Sequence, residues 1–117
     1  GINIEAVPAY NADKQFHQKA NQWLGFVITI DGVRIYHAGD TDRIPEMRLL
    51  EKIDIALLPV SGTYVMTADE AVLAAADFMP KKAVPMHYGS IVGGVSDAER
   101  FRSGLSGKVP VEILKKQ

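Results

Sequence analysis

Trp23-Leu24-Gly25-Phe26-Val27-Ile28-Thr29-Ile30-Asp31-Gly32-Val33-Arg34-Ile35-Tyr36-His37-Ala38-Gly39-Asp40-Thr41 is the stretch on which the fold turns. Two runs rich in β-branched and aromatic residues, 23–30 and 33–37, flank Asp31-Gly32. Both members of that dipeptide tolerate the positive φ angles of a type I′ turn, so the stretch reads as an antiparallel hairpin. Its second strand runs into Gly39-Asp40-Thr41, which places a carboxylate where a strand stops.

Before the hairpin, Ile2 to Val7 alternates apolar and polar residues and ends at Pro8, where a ladder donor is lost. The polar segment from Ala9 to about Gln22 carries His17 and is long for a plain connection, which points to a functional loop. After the hairpin, Pro45 to Lys52 suits a short helix with Pro at its first position. Ile53 to Val60 is an almost unbroken apolar run, as expected of a central strand covered on both faces. Thr67-Ala68-Asp69-Glu70 is a capping box opening an Ala-rich helix that runs to about Met79 and stops at Pro80. Ala83 to His87 reads as a strand and Ser90 to Val95 as a Gly-rich loop. Ser96-Asp97-Ala98-Glu99 reads as a second capping box, for a helix ending near Gly104 or Gly107. Val109 to Leu114 closes as a strand. Strands alternate with helices without a repeat or a linker, so residues 1–117 form a single domain, a layered α/β unit (an α+β sandwich) rather than a bundle or barrel.

The chain has 117 residues, 47% apolar and 23% charged, which suffices for a core without disulfides. There is no cysteine, so metal ligation falls to His and carboxylates. A net charge of −1 and a pI near 6.3 supply no basic field for nucleic acid or an anionic membrane. No apolar stretch has the length of a membrane span, and the start of the chain does not read as a basic-then-apolar leader, so the expected location is cytoplasmic. The chain starts Gly1-Ile2-Asn3-Ile4 inside a strand, which reads as a truncated or processed start.

Asp40 and His87 each follow a strand, so in a layered α/β fold both emerge at one rim, where they suit Zn²⁺, Mn²⁺ or Fe²⁺. Two ligands do not hold an ion firmly. His17 is the nearest further candidate, with Asn11 and Tyr10 as weaker ones. Structural readings stand beside these. Gly-Asp-Thr also fits a turn in which Asp bonds its own backbone, His87 also fits a hydrogen-bonded core residue, and His17 also fits a solvated loop. His37, on the strand face opposite Ala38, reads as a core histidine and not as a ligand. The stretch Gly89 to Gly94 lacks both the P-loop Lys and the dinucleotide spacing, and reads as a rim loop.

Taken together, Val7-Pro8-Ala9-Tyr10-Asn11, Phe16-His17-Gln18-Lys19, Trp23 to Ile28, Tyr36 to Thr41, Asp54 to Pro59, Gly62-Thr63-Tyr64 and Pro85 to Ser90 resemble the lactamase-like metal-dependent hydrolases of the metallo-β-lactamase superfamily, near the ascorbate-lactonase and phosphodiesterase branches. The resemblance covers essentially the full chain. It implies the C-terminal half of the αββα fold, a mixed sheet with helices packed on one face. It also implies two divalent ions, Zn or Mn, with Asp40 as the bridging carboxylate, His87 as terminal ligand to the second ion, His17 as the middle ligand, and Thr41 supporting the Asp40 carboxylate.

The departure from the family is an absence. The three histidines, His17, His37 and His87, cannot form an H-x-H-x-D-H run, which holds the first ion and carries the water-orienting Asp. Two classes follow. One is a metal-dependent hydrolase of a lactone, ester or phosphodiester whose complementary N-terminal half lies elsewhere, so that this chain alone binds metal weakly and hydrolyses little. The other is a non-catalytic half-domain that pairs with a second copy through the face the missing half would cover. Substrate is not legible, although Tyr10, Trp23, Tyr64 and Tyr88 could line a small-molecule pocket.

Overall fold

In the computed structural model, which describes residues 1–11, 24–89 and 92–114, the order among the described residues is β1 (Ile2–Pro8), β2 (Leu24–Ile30), β3 (Val33–His37), a 3₁₀ turn (Pro45–Leu49), β4 (Ile55–Pro59), α1 (Ala68–Phe78), β5 (Lys82–Met86) and α2 (Val95–Gly104). His17, Trp23 and Ser90 lie outside the described residues. The five strands form one sheet in sequence order, β1-β2-β3-β4-β5. The first three are antiparallel and the last three parallel, so the sheet is mixed. The hairpin is as expected: Ile30 pairs with Val33, and Asp31 and Gly32 take φ angles of 50° and 83°, the left-handed values of a type I′ turn.

The sheet has two unlike faces. Register places Tyr36, Ala56 and Ala83 side by side on one face, where they join Val27 and Leu58 in the core beneath α1 and α2. Helix α1 presents Ala68, Ala71, Ala74, Ala75 and Phe78 to this core, and the Phe78 ring meets that of Tyr36 edge to face at 5.6 Å. From α2, Ala98 and Phe101 do the same. Burying one large side chain such as Phe101 contributes on the order of 2–3 kcal/mol. The opposite face carries Ile4, Ile28, Ile35 and Ile55 in one row and Ala6, Phe26, His37 and Leu57 in the next. No helix among the described residues covers it, and Ile2 and Ile4 are 69% and 63% exposed. Strand β4 is paired on both edges, as an interior strand. However, only its helix side is fully buried, and Ile55 and Leu57 on the other side are half-buried.

Four expected elements come out differently. The helix over Pro45 to Lys52 is a single 3₁₀ turn, Pro45–Leu49. Its N-cap, Ile44, offers no side-chain cap, and Leu50 has already returned to extended backbone, so nothing carries the turn past its nucleus. The strand expected over 53–60 contracts to Ile55–Pro59, with Ile53 and Val60 as buried flanks. Helix α2 starts two residues earlier than the Ser96 box predicts, because Gly94 is the N-cap and its N–H donates to the Asp97 carboxylate at 2.8 Å. The closing strand over Val109 to Leu114 is one bridge, Ala83 to Val111. Ala83 N–H donates to Pro110 O and Glu112 N–H donates to Ala83 O. The next rung needs a donor from Pro85, which has none, so the ladder stops. No helix among the described residues is long and apolar enough to cross a membrane.

Candidate metal centre at the strand ends

Strands β3, β4 and β5 end at the same rim, and each hands over to a loop bearing a polar side chain. After β3, Ala38 N–H still donates to Leu57 O at 3.1 Å. Gly39 then turns the chain at φ +73°, packed so closely that a Cβ would lie 2.8 Å from the Leu24 carbonyl oxygen. Asp40 follows. The loop is tied down by Thr41, which is fully buried. The Thr41 hydroxyl accepts from Tyr10 N–H at 3.0 Å and lies 3.0 Å and 2.9 Å from the carbonyl oxygens of Tyr10 and Asp42. Asp42 N–H donates to Tyr10 O and Met66 N–H to Thr41 O. Thr41 therefore acts on the backbone that carries Asp40.

After β5, His87 takes a left-handed backbone, φ +63°, a conformation that L-residues with bulky side chains seldom adopt and that recurs where side chains are aimed at a site. Its Nε2 lies 3.5 Å from Asp40 Oδ1, with the two side chains 27% and 41% exposed. Its Nδ1 lies 3.1 Å from Ser61 Oγ, just beyond β4. The fold thus joins Asp40 and His87, 47 positions apart in the chain, and adds Ser61. In the sequence Ser61 carries no signal beyond its place at the end of an apolar strand.

A separation of 3.5 Å is longer than the 2.7–3.2 Å of a good N–H···O bond. Metal–ligand bonds of about 2.0–2.2 Å meeting near the tetrahedral angle put two donor atoms roughly 3.3–3.6 Å apart. The oxygen and nitrogen donors at this rim therefore fit one shared divalent ion in both chemistry and span. Among the described residues no group of three or more His, Cys, Asp or Glu side chains is placed to hold a metal, and His17 lies outside them.

Tyr10 and Asn11 each make a side-chain hydrogen bond to another part of the chain. The Tyr10 hydroxyl donates to Glu46 Oε1 at 2.6 Å, and its pKa is pushed up to about 12 by burial and by that carboxylate. Asn11 is buried, and its Nδ2 donates to Tyr64 O at 2.8 Å, which holds the Gly62-Thr63-Tyr64 loop at the rim. His37 is exposed on the apolar face rather than in the core, and its Nδ1 accepts from Gly39 N–H at 3.2 Å. The pattern of strand faces predicted the side on which His37 sits, but not that no helix among the described residues covers this side. Beside His87 a groove of about 810 Å³ is lined by Met86, Tyr88, Val95, Glu99, Arg102 and Leu114, among others. Of the four aromatics considered for a pocket, Tyr88 lines this groove, Tyr64 is 46% exposed and Tyr10 is core.

Comparison with known proteins agrees with this architecture. The profile of the family described as "Beta-lactamase superfamily domain" matches residues 1–88. A metal-dependent hydrolase of Thermococcus onnurineus is 40% identical over 119 residues, spanning 98% of this chain and 53% of the relative. The crystal structure of a putative metal-dependent hydrolase from Parabacteroides distasonis superposes with TM-score 0.86 at 40% identity, over 99% of this chain and 52% of that one. Igni18, a metallo hydrolase of Ignicoccus hospitalis, does so with TM-score 0.76 at 29% identity, over 98% and 50%. The chain thus spans about half the length of the relatives it matches, and its mixed sheet with helices on one face is the C-terminal half of their fold. On the strength of the matched profile and of this shared architecture, the chain belongs to the metallo-β-lactamase superfamily.

Proposed function

We propose that this chain is the C-terminal half of a metal-dependent hydrolase that acts on a lactone, ester or phosphodiester, with Asp40, His87 and His17 as metal ligands. The observation that carries this reading is the 3.5 Å approach of Asp40 Oδ1 to His87 Nε2 at the rim. Zn²⁺ or Mn²⁺, two ions in the complete site, would supply a water of lowered pKa and charge stabilisation for the hydrolytic step. The chain's own contribution is to hold donors: Gly39 and Thr41 fix the Asp40 backbone, and the turn at His87 aims the imidazole across the rim. The water-orienting Asp belongs to the complementary half, since no H-x-H-x-D-H run occurs here. The groove beside His87 offers apolar walls and the Arg102 guanidinium to a small-molecule substrate. The same reading takes the protein as cytoplasmic, without nucleic-acid or membrane partners, in keeping with a net charge of −1.

The complementary half seats on the uncovered sheet face, whose rows of Ile, Phe and Leu are too apolar to stay in water. A second reading rests on that same face: a half-domain that pairs with a second copy and performs no catalysis. Calorimetric titration with Zn²⁺ and Mn²⁺, alongside a lactone and phosphodiester panel, is to be run on residues 1–117 and on the natural polypeptide at its full length. The expected result is weak binding and little turnover for residues 1–117, and tight binding with turnover for the full-length protein, lost in Asp40→Ala and His87→Ala. Equal tight binding by both overturns the half-site reading. A stable dimer of the full-length protein that is inert in every assay favours the second.

A further inference from the structure

A histidine can present a lone pair from one ring nitrogen only when its proton sits on the other, and the partner of the other nitrogen selects that tautomer. In His87 the two nitrogens face different groups: Nε2 faces Asp40 at 3.5 Å, and Nδ1 faces Ser61 Oγ at 3.1 Å. The Ser61 hydroxyl is held in place. Ser61 forms a β-bridge to Thr67, and its oxygen lies 3.4 Å from Thr63 N–H, a second donor. Gly93, at φ +66°, packs against it so tightly that a Cβ there would lie 2.8 Å from Ser61 Cβ. An oxygen fixed beside one donor is well set to accept from another.

We infer that Ser61 is a positioning residue of the metal centre: its oxygen accepts the Nδ1–H of His87, which leaves the Nε2 lone pair directed to the ion shared with Asp40. The inference rests on the ligand assignment proposed above. It explains why the loop after β4, which bears no ligand, is closed so tightly against the loop after β5. Side chains that orient ligating histidines in this way typically change metal affinity by about 10–100-fold when removed.

The test uses the natural polypeptide at full length and Zn²⁺ alone as probe, with affinity read by competition against a chromophoric chelator. Ser61→Ala is expected to weaken Zn²⁺ binding by about 10–100-fold. Ser61→Cys keeps the volume but offers a poor acceptor; it is expected to do the same and decides the matter should the Ala variant fold badly. In the Zn-loaded parent the His87 Nδ1–H is expected as a slowly exchanging NMR resonance that both variants lose. Parent-like affinity in both variants, with His87→Ala binding far more weakly, overturns the positioning role and leaves the ligand assignment standing. Parent-like affinity in His87→Ala overturns the assignment itself and the inference with it.

Discussion

Gly39→Ala probes the turn that delivers Asp40, and its cost can be worked from two separate contributions. Gly39 has φ +73°, and placing an L-residue in that left-handed region costs roughly 1–2 kcal/mol. The new Cβ would also stand 2.8 Å from the Leu24 carbonyl oxygen and 3.7 Å from Ala9 Cβ. The oxygen belongs to backbone already paired in the sheet, so relief requires β2 or the loop to shift, at roughly 1–3 kcal/mol. The total is about 2–5 kcal/mol. Gly32→Ala is the control, because Gly32 has φ +83° with nothing within 4 Å of its virtual Cβ, which leaves only the conformational part, roughly 1–2 kcal/mol. Urea unfolding of both variants, followed by circular dichroism, reads the difference, and Gly39→Ala should also weaken Zn²⁺ binding through displacement of Asp40. Equal stability losses in the two variants, or intact metal binding in Gly39→Ala, would refute the reasoning.

Three further outcomes follow from the same structure. Arg43 makes two bonds to the half-buried Asp77 carboxylate, at 2.7 and 2.9 Å, and the Arg43 guanidinium holds that carboxyl below its ordinary range. Its stabilisation, about 1 kcal/mol after solvent screening at the part-exposed Arg43, is complete above the unfolded pKa of about 3.9 and disappears as pH falls through the lower folded value. The stability gap between the parent and Asp77→Asn should therefore close on acidification, as measured by urea titration from pH 7 to 2.5. Thr67→Ala removes the hydroxyl that accepts from Glu70 N–H at 3.2 Å and should cost about 1 kcal/mol in thermal unfolding, with Thr67→Ser near neutral. On the uncovered sheet face, Ile4→Lys with Phe26→Lys should lower self-association of residues 1–117 in sedimentation velocity, and unchanged association places the contact elsewhere.

The hairpin, the first capping box and the strand at β4 were legible because they depend on neighbours within a few residues: turn chemistry at Asp31-Gly32, reciprocal bonds between Thr67 and Glu70, and an almost unbroken run of apolar residues. The elements that came out differently have two causes. The 3₁₀ turn at Pro45–Leu49 stops where Ile44 offers no side-chain cap and Leu50 returns to extended backbone, whereas the single bridge at Val111 is limited by Pro85 on a strand distant in the chain, which reads from sequence as an ordinary strand residue. His37 was placed on its strand correctly, but its exposure depends on what covers a sheet face, which no local pattern encodes.

At the rim the division is the same. Asp40 and His87 could be singled out from sequence, since each follows a strand and each carries a donor suited to a divalent ion. Their approach to 3.5 Å and the hydroxyl of Ser61 behind the imidazole were decided only when β3, β4 and β5 aligned in parallel and ended together. Residue types and strand periods are local properties of a chain, and so the sequence determined which groups were available. Distances between strand ends are set by sheet register and by the core beneath it, and so only the tertiary structure decided which of those groups meet.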